Sequence, residues 1–97
     1  MKHYPPFIEK LGKVDSEFFQ MVSAQHDKVL APGAIDVKTK FLILLALDAY
    51  AGSSGVKGIS DVARKMGATE AEIAESLRIA YHLAGNRVLH CAVNAFE

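Results

Sequence analysis

The sequence predicts an all-α protein, a single-domain bundle of about five or six helices, and three observations lead to that prediction. Apolar residues recur at helical spacing, and no segment has the alternating, β-branched pattern of a strand. Capping residues and glycine-rich stops divide the chain into segments of helical length. With 97 residues, of which 51% are hydrophobic, the chain suits one small domain with a packed core.

The chain is expected to begin with a lead-in over residues 1–14, followed by a helical domain over residues 15–97. Apolar spacing in the lead-in indicates a short helix that ends at Gly12. Asp15 is the predicted N-cap of the next helix, because its side chain can accept a hydrogen bond from a free N–H of the first turn. That helix is expected to reach about Leu30, where a Pro-Gly pair follows.

The third helix is predicted to lie at the centre of the bundle. Asp36 is its expected N-cap, and residues 41–51, FLILLALDAYA, are apolar on nearly all sides. A helix with this pattern is usually surrounded by others. The sequence GSSG at residues 52–55 is expected to end it, and a fourth helix is predicted over about residues 56–66, with Gly67 as its stop.

Two further helices are predicted towards the C-terminus. Thr69 and Glu72 fit the S/T-x-x-E capping box that starts a helix. Apolar residues at i, i+4, i+7 and i+11 from Ile73 indicate its buried face. Gly and Asn at residues 85–86 are expected to end this helix, and a sixth helix is expected over residues 87–96.

Charge and cysteine content exclude several classes of function. Eleven basic residues balance eleven acidic ones, which argues against a nucleic-acid partner because such proteins present a clustered basic surface. The apolar run at residues 41–47 is far shorter than the roughly 20 residues of a membrane span. The first residues lack the apolar region of a signal peptide, so a cytoplasmic protein is expected. A lone cysteine, Cys91, excludes a disulfide or a cysteine-based zinc site within one chain, and no cofactor is predicted.

A glycine-rich segment at residues 52–58 is the first candidate binding site. Gly52, Gly55 and Gly58 recur every three residues at a predicted helix start, with Lys57 among them. Free N–H groups at a helix N-terminus can hold a carboxylate or a phosphate, which predicts an anion or small-ligand site. The alternative interpretation is a tight turn, because glycine adopts backbone angles that other residues avoid.

Polar residues near the end of the third helix are the first catalytic candidates. Asp48 lies inside the apolar helix, so its carboxylate is expected to face solvent, to cap a neighbouring helix, or to pair with Lys57 or Arg64. If it is buried and unpaired, it becomes the strongest catalytic candidate. Tyr50 is either a pocket donor or a packing residue with one hydrogen bond.

Histidine and cysteine residues supply further candidates. His82, Asn86 and His90 recur every four residues, so an unbroken helix would place them on one face, as a proton relay or as part of a metal site with His26. The alternative for the three α5 residues is that they are polar residues at a subunit interface or at the edge of a pocket. The alternative for His26 is a histidine at the edge of the core that is hydrogen-bonded to a carbonyl. No metal site is predicted, because one chain supplies too few ligands. Cys91 is either a peroxide-reactive thiol or a small buried residue.

Three segments together resemble a known family. They are APGAIDVKTK at residues 31–40, ARKMGAT at residues 63–69 followed by Glu72-Ile73, and AGN at residues 84–86 with the last six residues. In this order and spacing they are similar to the carboxymuconolactone decarboxylase-like family, which includes alkylhydroperoxidase D. The resemblance implies an alkylhydroperoxidase D-like all-α fold, assembly as a homotrimer or homohexamer, and an antioxidant, peroxiredoxin-like oxidoreductase or decarboxylase activity.

The residues that carry that activity in the family are replaced in this chain. Active members have Cys-x-x-Cys-x-x-x-His with a Glu upstream, and the corresponding positions are Gly52, Gly55 and Ile59, with Lys40 or Phe41 for the Glu. Thiol chemistry needs an activated thiolate and a resolving thiol, which these residues do not provide. The histidine that the decarboxylase branch uses falls at Ile59 and is absent too.

Three hypotheses about function follow from the sequence. The first is a residual enzyme that uses Asp48, Tyr50, Ser53, Ser54 or His82. The second is an oligomer that binds a small ligand or anion through the 52–58 segment. The third is a structural or interaction subunit. An enzyme requires a pocket in which several polar groups converge, whereas a structural subunit requires surfaces that close on assembly.

Overall fold

The computed structural model describes residues 4–97, and every regular element in that range is helical. Contacts divide the chain into two units, Met1–Pro32 and Gly33–Glu97. The all-α prediction is therefore confirmed, with five α-helices and one short 3-10 helix. The predicted division into a lead-in and a domain at residues 14 and 15 stays a prediction, and residues 1–3 of that lead-in lie outside the described range.

The first unit contains two helices, α1 (Pro6–Val14) and α2 (Ser16–Leu30). The predicted cap is confirmed, because an Asp15 carboxylate oxygen accepts a hydrogen bond from the Phe18 N–H at 3.0 Å. The predicted end at Gly12 is wrong, since α1 continues for two more residues. Glycine at residue 12 allows close packing of α1 against α2. A Cβ at this position would lie 3.3 Å from the ring of Phe19.

The second unit contains α3 (Val37–Ala51), α4 (Val56–Lys65) and α5 (Glu70–Ala92), followed by the 3-10 helix Val93–Phe96. α3 packs against both α4 and α5. The core at this junction consists of four buried side chains from the three helices and the α4–α5 turn, namely Leu45, Ala63, Ala68 and Ile73.

Helix starts in the second unit follow the sequence signals. An Asp36 carboxylate oxygen accepts from the Thr39 N–H at 2.7 Å and caps α3. At the start of α5, the Thr69 hydroxyl accepts from the Glu72 N–H at 3.1 Å, and the Glu72 carboxylate accepts from the Thr69 N–H at 2.9 Å. This reciprocal pair is the predicted capping box, and it satisfies two N–H groups that the helix itself leaves free.

The predicted break at residues 85–86 is wrong, because α5 is one continuous helix of 23 residues. Glycine inside a helix costs only about 1 kcal/mol relative to alanine, and no proline is present to remove a backbone hydrogen bond. The Asn86 amide nitrogen contacts His82 Nε2, one turn earlier in the helix, at 3.2 Å. The sequence signal for a stop was therefore too weak to end the helix.

α3 is also less enclosed than its sequence suggests. Leu45 is fully buried at 0% exposure, but Ile43 and Leu47, one turn apart, are exposed. The helix is apolar on nearly all sides, yet α4 and α5 cover only part of it. Within the second unit, one apolar side of the predicted central helix is therefore not covered by α4 or α5.

Candidate functional site

The turn between α3 and α4 contains Gly52 and Gly55 of the predicted glycine-rich binding site. Gly52 ends α3 in the left-handed conformation, with φ +72°, which favours glycine. Its N–H donates to the Ala49 carbonyl at 3.1 Å, and the Ser53 N–H donates to the Asp48 carbonyl at 3.1 Å. These bonds close the last turn of α3 and use the N–H groups of the first two turn residues.

Asp48 lies beneath this turn with one carboxylate oxygen unpaired. The side chain is half-buried, and its Oδ2 is shielded from solvent without a hydrogen-bond partner among residues 4–97. A Cβ built on Gly55 would lie 2.9 Å from that oxygen. The carboxylate therefore occupies the space that a side chain at residue 55 would need, and a larger residue there requires the Asp48 side chain to move.

Neither of the two bases expected for Asp48 pairs with it. Lys57 Nζ contacts Asp61 Oδ2 at 3.0 Å, and Arg64 Nε donates to Glu70 Oε2 at 2.7 Å. The hydrogen bond from Lys57 lowers the pKa of Asp61, and the hydrogen bond from Arg64 lowers the pKa of Glu70. Both bases are thus engaged by carboxylates of α4 and α5. Asp48 has one oxygen without a partner, but its side chain is half-buried and not buried, so its catalytic role stays a prediction.

Three features of this turn disfavour the binding of an anion at the predicted site. The Gly52 N–H is used by α3, the Lys57 ammonium is paired with Asp61, and the Asp48 carboxylate would repel an anion at Gly55. In its favour, no side-chain hydrogen bond caps α4, so N–H groups of its first turn, which includes Gly58, stay free of a side-chain cap. The anion site stays a prediction.

The remaining polar candidates near the turn do not converge on Asp48. Ser53 and Ser54 are exposed. The Tyr50 hydroxyl accepts a hydrogen bond from Arg87 Nη1 at 2.7 Å, and the Arg87 guanidinium carbon lies 5.5 Å from the Tyr50 ring centroid. Tyr50 thus joins α3 to α5 as a packing residue with one bond, which is the second of its two interpretations.

Because α5 is unbroken, His82, Asn86 and His90 lie along one side of it, as an uninterrupted helix predicts. His82 and Asn86 contact each other, and all three side chains are exposed. Across residues 4–97, no three His, Cys, Asp or Glu side chains come together as a group that could hold a metal ion.

His26 belongs to the first unit, where its ring stacks edge-on against Tyr4 with centroids 5.3 Å apart. Its Nδ1 is buried with no hydrogen-bond partner in the described part of the chain, and it lies 3.7 Å from Asp27 Oδ1. The predicted hydrogen bond to a carbonyl is therefore not made by Nδ1. The half-buried position itself agrees with a histidine at the edge of a core.

Cys91 is exposed, so its interpretation as a small buried residue is wrong. The physical reason is that the second half of α5 has little protein packed against it, and residues 86–97 are all exposed. An open groove of about 320 Å³ runs along this part of α5, lined by Leu83, Asn86, Arg87, His90 and Cys91. All five groove residues come from one helix, so the groove is not an enclosed pocket.

Two features of the second unit were missed by sequence reasoning. One is the Asp48–Gly55 approach, which depends on how the turn folds back on α3. The other is the exposure of large apolar residues along the second half of α5. The sequence does contain a signal for this exposure, because Arg87 is the one fully charged residue between residues 79 and 96.

Among residues 4–97, no helix is both long and apolar enough to cross a membrane.

The fold and the turn together define an all-α helical domain whose central helix ends at a glycine-rich turn. Comparison with protein-family models gives the family: the model of the carboxymuconolactone decarboxylase family matches residues 16–97. The chain therefore belongs to that family. No curated protein and no solved structure matched the chain.

Proposed function

We propose that this protein is a self-associating structural member of the carboxymuconolactone decarboxylase family, a homotrimer or homohexamer without two-cysteine peroxidase chemistry. The observation that carries the proposal is the open apolar surface of the second unit. More large hydrophobic side chains are exposed than buried among residues 4–97. Large contiguous apolar surfaces on a folded chain are typical of protein interfaces.

α3 gives the clearest example of this open surface. Its sequence is apolar on nearly all sides, which suits a helix enclosed by others. Within one chain, Ile43 and Leu47 remain exposed along one side of it. Contact with further copies would cover that side without any change in the helix, and it would add buried area that a 97-residue chain lacks on its own.

The absence of peroxidase chemistry is proposed from the residues at the turn. The chain contains a single cysteine, so no second thiol can resolve an oxidised first one within the chain. Gly55 stands at one of the family's cysteine positions, and the Asp48 carboxylate fills the space beside it. A side chain at residue 55 would have to displace that carboxylate.

Peroxide consumption tests this part of the proposal. Purified wild-type protein and Cys91→Ser are supplied with hydrogen peroxide and a dithiol reductant, and the loss of peroxide is followed over time. We expect both proteins to match the uncatalysed rate. Turnover by the wild type that is lost in Cys91→Ser would show that Cys91 performs thiol chemistry, and the proposed structural role would then be wrong.

A further inference from the structure

The positive charge of Arg87 has no counter-charge within the described chain. Arg87 is the one fully charged residue between residues 79 and 96. No carboxylate among residues 4–97 lies within ion-pair distance of its guanidinium. By contrast, Lys38, Lys57 and Arg64 of the second unit are all paired with carboxylates. Arg87 is therefore a cation that the fold holds without an internal acidic partner.

The guanidinium of Arg87 is held in place, although its side chain is exposed. Its Nη1 donates to the Tyr50 hydroxyl at 2.7 Å, and its central carbon lies 5.5 Å from the Tyr50 ring centroid. This bond uses one of the five N–H donors, and the planar fork of a guanidinium matches the geometry of a carboxylate. A cation that is already oriented loses less entropy when it binds an anion.

Arg87 also lines the open groove of about 320 Å³ on α5. Leu83, Arg87 and Cys91 are four residues apart and form one row along the helix, and Asn86 and His90 form the neighbouring row. The groove therefore combines a cation, an apolar side chain one turn before it, and two side chains that can form hydrogen bonds.

The groove lies beyond the part of α5 that is buried. Ile73, Ala80 and Arg87 are seven residues apart, which places them on the same side of the helix. Ile73 and Ala80 are buried, whereas Arg87 is exposed. α3 ends one residue after Tyr50, the residue that reaches Arg87. The side of α5 that carries the buried residues therefore continues as an open surface with a positive charge.

We propose that this groove, named here the Arg87 groove, binds a small monocarboxylic acid with a short apolar chain. The carboxylate accepts hydrogen bonds from Arg87, and the chain lies against Leu83, about 5.4 Å away along the helix axis. A single cation suits a singly charged group, and no acidic side chain lines the groove to repel it. The site is formed by one chain, so it does not rest on the proposed self-association.

Hexanoate is the probe for this site, and hexanamide is its uncharged counterpart. Saturation-transfer NMR of the ligand signals gives a dissociation constant for a particle of any size. We expect hexanoate to bind the wild type with a dissociation constant on the order of 1 mM, and hexanamide to bind roughly tenfold more weakly or worse. Equal binding of the two compounds, or no saturable signal from hexanoate, overturns the site.

Two arginine variants of α5 locate the binding. Arg87→Gln removes the charge and is expected to weaken hexanoate binding about tenfold, as the loss of a charge-assisted hydrogen bond does. Arg78→Gln is the matched control, because Arg78 is exposed on the same helix but does not line the groove. We expect this control to bind hexanoate as the wild type does. Equal binding in the two variants overturns the site.

Leu83→Ala tests the assigned position of the apolar chain. It is expected to weaken hexanoate binding about threefold, because less apolar surface is buried. Acetate, whose methyl group does not reach residue 83, is expected to bind this variant and the wild type equally. Unchanged binding of hexanoate by Leu83→Ala overturns the position of the chain along the groove.

Alkylation of Cys91 tests the groove in the wild type, in case Arg87→Gln does not fold. Cys91 is the single cysteine of the chain and lines the groove. Iodoacetamide is added with saturating hexanoate or with the same concentration of hexanamide, and mass spectrometry follows the modified fraction. We expect hexanoate to slow alkylation about twofold or more, because bound ligand excludes the reagent in proportion to its occupancy. An equal rate with both compounds, or a thiol that does not react at all, overturns the site.

Discussion

At Gly55 the absence of a side chain allows the Asp48 carboxylate to lie directly against the turn between α3 and α4. The backbone of Gly55 is right-handed, with φ −82° and ψ −3°, so its conformation does not require glycine. The requirement comes from the 2.9 Å separation between a Cβ at residue 55 and Asp48 Oδ2. This makes the two residues a coupled pair whose interaction can be measured.

Gly55→Ala is expected to lower the free energy of unfolding by about 0.5–1.5 kcal/mol, the cost of turning the Asp48 side chain away from its preferred rotamer. In an Asp48→Ala background the same substitution is expected to be neutral or stabilising, because the colliding oxygen is gone. Urea denaturation of the two single variants and the double variant measures the coupling.

Gly58→Ala is the matched control for this cycle. Gly58 lies inside α4, and a Cβ there would meet no atom within 4 Å. The substitution is expected to stabilise the protein by roughly 0.5–1 kcal/mol, as alanine does in place of glycine in a helix. Additive effects of Gly55→Ala and Asp48→Ala would contradict the steric pairing of those two residues.

The residue scale also shows where sequence reasoning stops. Asp48 was recognised as an unusual carboxylate because it interrupts an apolar helix, and its unpaired oxygen agrees with one of the alternatives considered. Its contact with Gly55 was not predictable, because it depends on the path of the turn. Lys57 and Arg64 were reasonable partners by sequence, but closer carboxylates on α4 and at the start of α5 bind them instead.

At the scale of elements, a charge pair at the capping box links α3 to α5 beside their shared core. Lys38 Nζ donates to Glu72 Oε2 at 2.9 Å, and the Thr69 N–H donates to the same carboxylate through Oε1. The hydrogen bond from Lys38, and then the one from Thr69, lower the pKa of Glu72 below its ordinary value of 4.5. Glu72 thus links the start of one helix to the side of another.

This pair predicts a pH dependence of stability with a definite sign. Because the pKa of Glu72 is lower in the folded state, its contribution is fully present above about pH 4.5 and is lost as the pH falls through the folded pKa. Glu72→Gln keeps a side chain that can cap the helix but removes the charge. We expect the variant to lose less stability than the wild type between pH 7 and pH 3, as measured by urea denaturation.

Glu75→Gln is the control for that comparison, since Glu75 is an exposed residue of the same helix. It is expected to follow the pH dependence of the wild type. Identical pH dependence in Glu72→Gln and the wild type would contradict the role assigned to the Lys38–Glu72 pair.

The capping box itself is expected to matter at all pH values. Thr69→Ala removes the hydroxyl that accepts from the Glu72 N–H and is expected to cost about 1 kcal/mol of stability. Thr69→Ser keeps the hydroxyl acceptor, so this variant is expected to retain most of the stability that the cap provides. If thermal denaturation shows equal losses for the two variants, the hydroxyl does not contribute through capping.

For the elements, the sequence predicted helix starts well and helix ends less well. The caps at Asp15, Asp36 and Thr69 were all confirmed, because a cap is a local hydrogen bond between residues three apart. Glycine ended α3, where Gly52 has positive φ, but did not end α1 at Gly12 or α5 at Gly85. Whether a glycine leaves the helix depends on packing around it, which the local sequence does not contain.

At the scale of the whole molecule, membership of the carboxymuconolactone decarboxylase family and the all-α fold were predictable from three short segments. Function was not, because the positions that the resemblance assigns to the family's two cysteines and histidine hold Gly52, Gly55 and Ile59. The apolar composition predicted a well-filled core. Much of that apolar surface lies instead on the open sides of α3 and α5, which is what self-association would use.

Sedimentation equilibrium of the purified wild-type protein, over a wide range of concentrations, tests the central claim of self-association most directly. A single chain has a mass of 10.5 kDa. We expect a particle of three or six times that mass, which dissociates only on strong dilution. A mass of one chain throughout the concentration range would contradict it.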